Sequence, residues 1–401
     1  MSLSKAKSSK KFDFILLSLL IVIGITSIIA IFSTFGVIGE SRGIDYVTKQ
    51  FMWYSIGFVA LLIICYIGND HIIFITKICY FILFFLLALL LIDKVFHDMT
   101  GSDLPFMNTV NGSTSWYAIP GLGSFQPSEF MKLCIIILTA DTIEKHFETI
   151  DTADFQSDML LFLKVFRWAI PPMILILLQP DTGICIIIGI SLIVMLACSG
   201  IRKEWFIVGV ILVAIVLALF SYMYLFHFEV LNDLIGGDGG YKLRRITSWL
   251  NPESDISGDG MQLYTALLTL GSAGIFGHGP QQMVVAIPEA QTDFIFAIIG
   301  QSFGFIGALF VIGLCLTLDL YLCYIASKTK IINEKFIVIG VVAILIYPQV
   351  QNIGMIIGLL PITGITLPLI SYGGSSLLSY FLIFGVIMNI SNRNLNLKDY
   401  L

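Results

Sequence analysis

Between residues 226 and 291 a polar stretch interrupts long apolar runs, and in or beside it stand Arg244, Arg245, Trp249, Asp255, Glu289, Thr292 and Asp293. Carboxylates can move protons and adjacent arginines can hold an anion, so this is where chemistry would be housed. The plain alternative is a solvated loop. A chain otherwise so apolar has little reason to keep so long a loop with that composition unless the loop works.

The elements that must position these groups follow from composition. Of the 401 residues, 57% are hydrophobic and only 12% charged, with mean hydropathy +0.93; soluble domains carry roughly a half and a quarter. The chain therefore reads as an all-α polytopic membrane protein. A bilayer core of about 30 Å needs about 20 apolar residues per helix. Ten windows of that kind are expected, at 14–34, 52–68, 72–93, 127–143, 163–179, 182–199, 205–226, 293–324, 335–359 and 368–390. Gln179, Pro180 and Asp181 alone part the fifth from the sixth, which predicts a tight helical hairpin. The eighth is long enough to tilt.

An even number of spans puts both termini on one side, and the cluster Lys5, Lys7, Lys10 and Lys11 makes that side cytoplasmic by the positive-inside rule. With this orientation basic residues are more numerous in the inner loops, and the large loop between helices 7 and 8 is extracellular. The first span is too long for a removed signal peptide and lacks a small-residue cleavage site. The whole chain, 1–401, then reads as one transmembrane domain that contains the 226–291 loop.

Cysteine and histidine add little. All seven cysteines lie in apolar runs, where a free thiol behaves as a small hydrophobe. The five histidines show no ligand spacing, so no protein-bound metal site is expected. A net charge of -5 without a basic helix or patch argues against nucleic acid.

Polar residues at membrane depth require a reason. In the run 126–132, Pro127 suits the first turn of a helix, and Glu129 and Lys132 are spaced i, i+3, on one face. A structural ion pair is the favoured reading for Glu129; Lys132 could also meet an anionic lipid phosphate. The run 179–183 reads first as a turn, and alternatively as a helix stop with Asp181 or Thr182 capping the following helix. Near the end, 364–376 carries Gly373 and Gly374, which allow a bent backbone that lines a cavity or packs closely.

With these residues in view, the chain resembles the SEDS family, the shape, elongation, division and sporulation proteins that polymerise peptidoglycan. Four segments carry the likeness: Asn111-Gly112 through Trp116 leading to Gln126–Glu129; Arg245 through Pro252 leading to Asp255; Pro288 through Ile295; and Pro368 through Ser376. The resemblance implies a glycosyltransferase that joins lipid II units at the outer membrane face, with Asp255 as the general base and undecaprenyl pyrophosphate as the leaving group. It also implies that Lys132, Arg244 or Arg245, or a divalent cation (Mg2+ or Mn2+) on the pyrophosphate, balances the developing charge. Trp116 and Glu289 are candidates for substrate contact, against interfacial anchoring for the tryptophan. Thr292 and Asp293 are expected to cap the eighth helix. The implied partner is a class B penicillin-binding protein, a transpeptidase, and the run 362–368 with the short tails leans toward the elongation branch.

The chain departs from the family pattern at Ser115, Ile256, Asp259, Met261 and Gln301. Asp259 is thereby a rival carboxylate close to Asp255. A lipid II flippase or other transporter, and a scaffold for synthases, are the alternative readings.

Overall fold

The computed structural model of the protein describes residues 11–110, 113–121, 123–149, 154–235, 240–255, 258, 260–282 and 284–397. Lys5, Lys7 and Lys10, used above for orientation, lie outside them, as do Asn111 and Gly112.

Helices form along the apolar runs: α1 (Phe14–Ser33), the single turn α2 (Phe35–Ile38), α3 (Glu40–Ile67), α4 (Ile72–Thr100), α5 (Pro127–Thr149), α6 (Phe155–Leu178), α7 (Thr182–Cys198) and α8 (Lys203–Phe226). The polar stretch then folds into α9 (Phe228–Ile235), α10 (Gly240–Leu250), a 3-10 turn (Pro252–Asp255) and α11 (Met261–Ser272). The long helices α12 (Ile295–Lys328), α13 (Ile332–Ile356) and α14 (Gly374–Leu397) complete the chain.

A helix falls in each of the ten expected windows, although 368–373 of the last is not helical, and only eight helices among the described residues are both long and apolar enough to cross a membrane. The two others are instructive. α7 has 17 residues. α5 has 23 but carries charge, and most of it is buried. A helix enclosed by other helices does not have to be apolar, because its polar groups find partners in protein instead of lipid. Gly340 of α13 lies against Ile136 of α5 and Met195 of α7, with no room for a side chain. α8 is the opposite case, with no buried residue.

The all-α expectation needs correction between α4 and α5. There β1 (Met107–Val110), β2 (Ser113–Ile119) and β3 (Gly123–Phe125) form an antiparallel sheet in that order. Ser113 and Ser115 donate to the carbonyl of Gln179 at 2.7 and 3.3 Å, and Tyr117 donates to that of Leu86 at 2.8 Å. These bonds seat the sheet on α4 and the α6–α7 turn.

α12 is broken at Gly304, whose φ of 66° is open to glycine. The interruption frees backbone groups that apolar surroundings cannot satisfy. Residues 274–279 take them up: the amides of Phe305 and Ile306 donate to Gly274 and Ile275 at 3.0 and 3.2 Å, and those of His278 and Gly279 donate to Gln301 and Ser302 at 2.9 and 3.0 Å. A Cβ on Gly304 would collide with the Ile275 carbonyl.

Candidate active site

At the start of α5, Pro127 occupies the first helical position as expected. Lys132 is 1% exposed and pairs with the Glu129 carboxylate; its Nζ also lies 4.4 Å from the Tyr380 ring centroid. Ser379 donates to Glu129 Oε2 at 3.5 Å, and the Tyr380 hydroxyl donates to the Ile344 carbonyl at 3.1 Å. A buried cation is tolerable on these terms, with an opposite charge on one side and the negative face of a ring on another.

Asp181 caps α7, accepting from the Ile184 amide at 3.4 Å, and reaches back to accept from Gln126 Nε2 at 2.8 Å and Ser128 Oγ at 3.0 Å. Burial pushes its carboxyl up to about 6, with the Glu129 charge adding and the hydrogen bonds opposing. Asp181 is thus both a helix cap and the tie between α7 and the turn into α5. The Gln126 amide donates in turn to Ser375 Oγ at 3.1 Å, and Ser375 Oγ donates to the Ser124 carbonyl at 2.8 Å. These bonds join the sheet to the start of α14.

The α10 helix is held on the 358–364 segment. Arg245 Nη1 donates to the Ile362 carbonyl at 3.1 Å and Trp249 Nε1 to the Gly358 carbonyl at 2.9 Å. Arg244 is exposed on the same helix. Asp293 Oδ2 and Arg245 Nη1 both face Gly364: a Cβ there would lie 3.5 Å from the first and 4.0 Å from the second. Burial pushes the Asp293 carboxyl up to about 6; the nearby Glu289 charge adds to this and Arg245 opposes it.

Thr292 and Asp293 do not cap the eighth span. The N-cap of α12 is Phe294, with no side-chain bond. The backbone turns instead at the exposed Glu289, whose φ is 54° and whose carbonyl accepts from the amides of Thr292 (3.1 Å) and Phe294 (3.3 Å). The Thr292 hydroxyl donates to Glu289 Oε2 at 3.1 Å. This turn occupies the Thr292 side chain, while Asp293 Oδ2 faces Gly364. Asn352 of α13 donates to the carbonyls of Asp293 and Ile365, both at 2.8 Å, while Ser371 Oγ donates to the Thr292 carbonyl at 2.7 Å and the Tyr372 amide to that of Gln291 at 2.9 Å.

Gly374 packs against Trp53 with no space for a Cβ, whereas Gly373 is uncrowded. Trp116 is half-buried in β2, opposite Asn108. The Asp255 backbone ends the 3-10 turn; its side chain lies outside what is described, as do Ile256 and Asp259. Among the described residues no group of three or more His, Cys, Asp or Glu side chains could hold a metal ion. The sequence reading missed Gln126, Asn352, Ser371 and Tyr380 as organisers. Asn352 did carry a signal, being an amide inside an apolar helix.

The family model described as cell cycle protein, covering FtsW, RodA and SpoVE, matches residues 10–396. The chain belongs to the SEDS family. It is 32% identical to the stage V sporulation protein E of Bacillus subtilis over 352 residues, 86% of this chain and 87% of that one. It is 30% identical to the peptidoglycan glycosyltransferase MrdB of Escherichia coli over 283 residues, 70% and 71% of the two chains. A solved peptidoglycan synthase complex that coordinates polymerization and crosslinking contains a chain of the same fold, at TM-score 0.72 and 21% identity over 96% of this chain and 98% of that one. The rod shape determining protein RodA of Thermus thermophilus shares the fold too, at TM-score 0.62 and 22% identity over 95% and 96%. Family and apolar helices together make this a multi-pass bacterial membrane protein.

Proposed function

We propose that this SEDS protein is a peptidoglycan glycosyltransferase that polymerises lipid II into glycan strands at the outer face of the cytoplasmic membrane, with ten spans and both termini inside. The observation that carries the reading is convergence. The turn into α5, helix α10, residues 289–293 and residues 358–376 lie far apart in sequence, yet hydrogen bonds join them at one end of the bundle. These are the segments on which the family resemblance rests.

In this reading Asp255 takes the proton from the acceptor 4-hydroxyl as that oxygen bonds to the anomeric carbon of the donor. The bond from that carbon to the pyrophosphate oxygen breaks, and its electron pair leaves with undecaprenyl pyrophosphate. One displacement inverts the centre, from α-linked donor to β-linked glycan. Arg244 and Arg245 meet the leaving pyrophosphate from α10. Lys132, held by Glu129 and Tyr380, supplies a fixed positive charge to the same end of the bundle. Glu289 and Trp116 flank the sugars. Mg2+ or Mn2+ would enter with the substrate, on its pyrophosphate oxygens. A class B penicillin-binding protein crosslinks the product. Residues 362–368 favour elongation over division.

The reading is tested by giving the purified full chain lipid II in liposomes. Glycan polymer on gels is the expected product; movement of lipid II across the bilayer without polymer would instead make the protein a transporter.

A further inference from the structure

In the helical bundle Lys49 pairs with Asp45, Lys132 with Glu129, Lys145 with Asp141, Arg202 with Asp158 and Arg393 with Glu334. Lys77 of α4 and Lys164 and Arg167 of α6 are different. Among the described residues no carboxylate stands within ion-pairing distance of any of them. Lys77 and Lys164 are half-buried, and Arg167 is exposed, its guanidinium 5.3 Å from the centroid of the neighbouring Trp168 ring.

The three cations stand together. Helices α4 and α6 run side by side in the same direction, tied at two levels: the Tyr80 hydroxyl donates to the Trp168 carbonyl at 2.9 Å, and Lys94 Nζ to the Leu178 carbonyl at 2.8 Å. Lys77 precedes Tyr80 by one turn, on the flank of α4 that meets α6. Lys164 and Arg167 precede Trp168 within one turn of α6, so the three lie within roughly 10 Å of one another along the bundle. Exposed apolar side chains surround them, Phe74 and Phe81 on α4 and Leu163 and Ile170 on α6. The seam between the two helices is therefore cationic on a surface otherwise made for lipid.

Its depth follows from the runs beyond it. On α4 the stretch free of charge is 78–92, about 22 Å of helix, and on α6 it is 168–178, about 16 Å. Both fall short of a hydrocarbon core of about 30 Å. The cations must then either lie in hydrocarbon, which is costly, or draw the phosphate level in towards them, with their long stems reaching back to meet it. In both cases the opposite charge has to come from the lipid. A zwitterionic headgroup brings a cation of its own, whereas an anionic one brings net negative charge and phosphate oxygens that accept from ammonium and guanidinium groups.

We propose that the seam between α4 and α6 binds the headgroup of an anionic phospholipid, its phosphate held by Lys77, Lys164 and Arg167, in the leaflet on the side of the α3–α4 turn. With the orientation proposed above this is the inner leaflet. The site does not depend on the glycosyl-transfer reading.

The test uses the purified full chain in phosphatidylcholine vesicles that contain a minor share of phosphatidylglycerol with a diazirine in its headgroup. Irradiation should label the peptides around Lys77 and around 164–168, and unlabelled phosphatidylglycerol should compete where phosphatidylcholine does not. Each of Lys77→Gln, Lys164→Gln and Arg167→Gln should weaken binding by about fivefold, and the triple variant by about a hundredfold. Labelling confined to other segments overturns the proposal, as does undiminished labelling of the folded triple variant. Equal competition by phosphatidylcholine also overturns it and identifies an ordinary annular position. Competition by undecaprenyl pyrophosphate at far lower concentration than phosphatidylglycerol contradicts it as well, marking a polyprenyl site instead. Labelling and competition are read on the wild-type protein, so they decide even where a variant does not fold.

Discussion

The turn into α5 and the helix α10 both present cations to the same end of the molecule, but they are held in opposite ways. At the turn into α5 the charged groups are enclosed: Lys132 by Glu129 and Tyr380, Asp181 by Gln126, Ser128 and the Ile184 amide. Helix α10 rests on the bundle through side chains that donate to backbone carbonyls, Arg245 to Ile362 and Trp249 to Gly358, while Arg244 is exposed. The enclosed region is set during folding, because breaking a buried pair strands a charge in low dielectric. The outer helix can shift at the cost of a few hydrogen bonds, each worth about 1 kcal/mol. An enclosed charge and an adjustable one thus stand at the same end of the bundle, a combination that, on the proposed reading, suits a substrate that must enter, react and slide forward.

Breaking the enclosed side should have the largest effect. Lys132→Met leaves Glu129 buried without its partner, for an expected loss of about 3–5 kcal/mol in unfolding experiments. The double variant Lys132→Met with Glu129→Gln should recover a good part of it. Equal losses in single and double variants would show that the pair is not a closed unit.

A smaller effect is expected at α10. Trp249→Phe removes the bond to Gly358 and should cost about 1 kcal/mol locally. Hydrogen exchange in 240–250 should quicken while α5 and α13 remain protected. Uniform quickening across the bundle would erase the distinction between the two regions.

A pH-dependent effect concerns Asp293, which lies beside Arg245 of α10. Its folded-state value of about 6 lies above the ordinary 3.8. The folded protein therefore binds this proton more tightly than the unfolded chain, so stability declines as pH rises from about 4 to about 6 and then levels off. Asp293→Asn should remove that part of the decline and leave the Asp181 part, which has the same sign. An unaltered pH profile would mean that Asp293 is not buried as described.

The enclosed region was the more legible of the two in the sequence. Glu129 and Lys132 at i, i+3 announce a shared face, Pro127 a helix start and Asp181 a cap, because these depend on neighbours along one helix. What could not be read depends on distant chain. The residues that pair with the α12 break lie in another segment, so Gly304 looked like one more glycine in an apolar run. The sheet at 107–125 was overlooked because the surrounding apolar windows dominated the reading. Thr292 and Asp293 have the composition of a cap, and only the folded chain shows the Thr292 hydroxyl on Glu289 and the Asp293 carboxylate beside Gly364.

The central claim places the reacting proton on the residue that ends the Pro252–Asp255 turn. It is tested most directly by Asp255→Ala in the purified full chain, comparing glycan formed from lipid II with that of the wild type and recording thermal unfolding of both. The account predicts that polymer disappears while the unfolding temperature is unchanged. Polymer formed at the wild-type rate by the folded variant would contradict it.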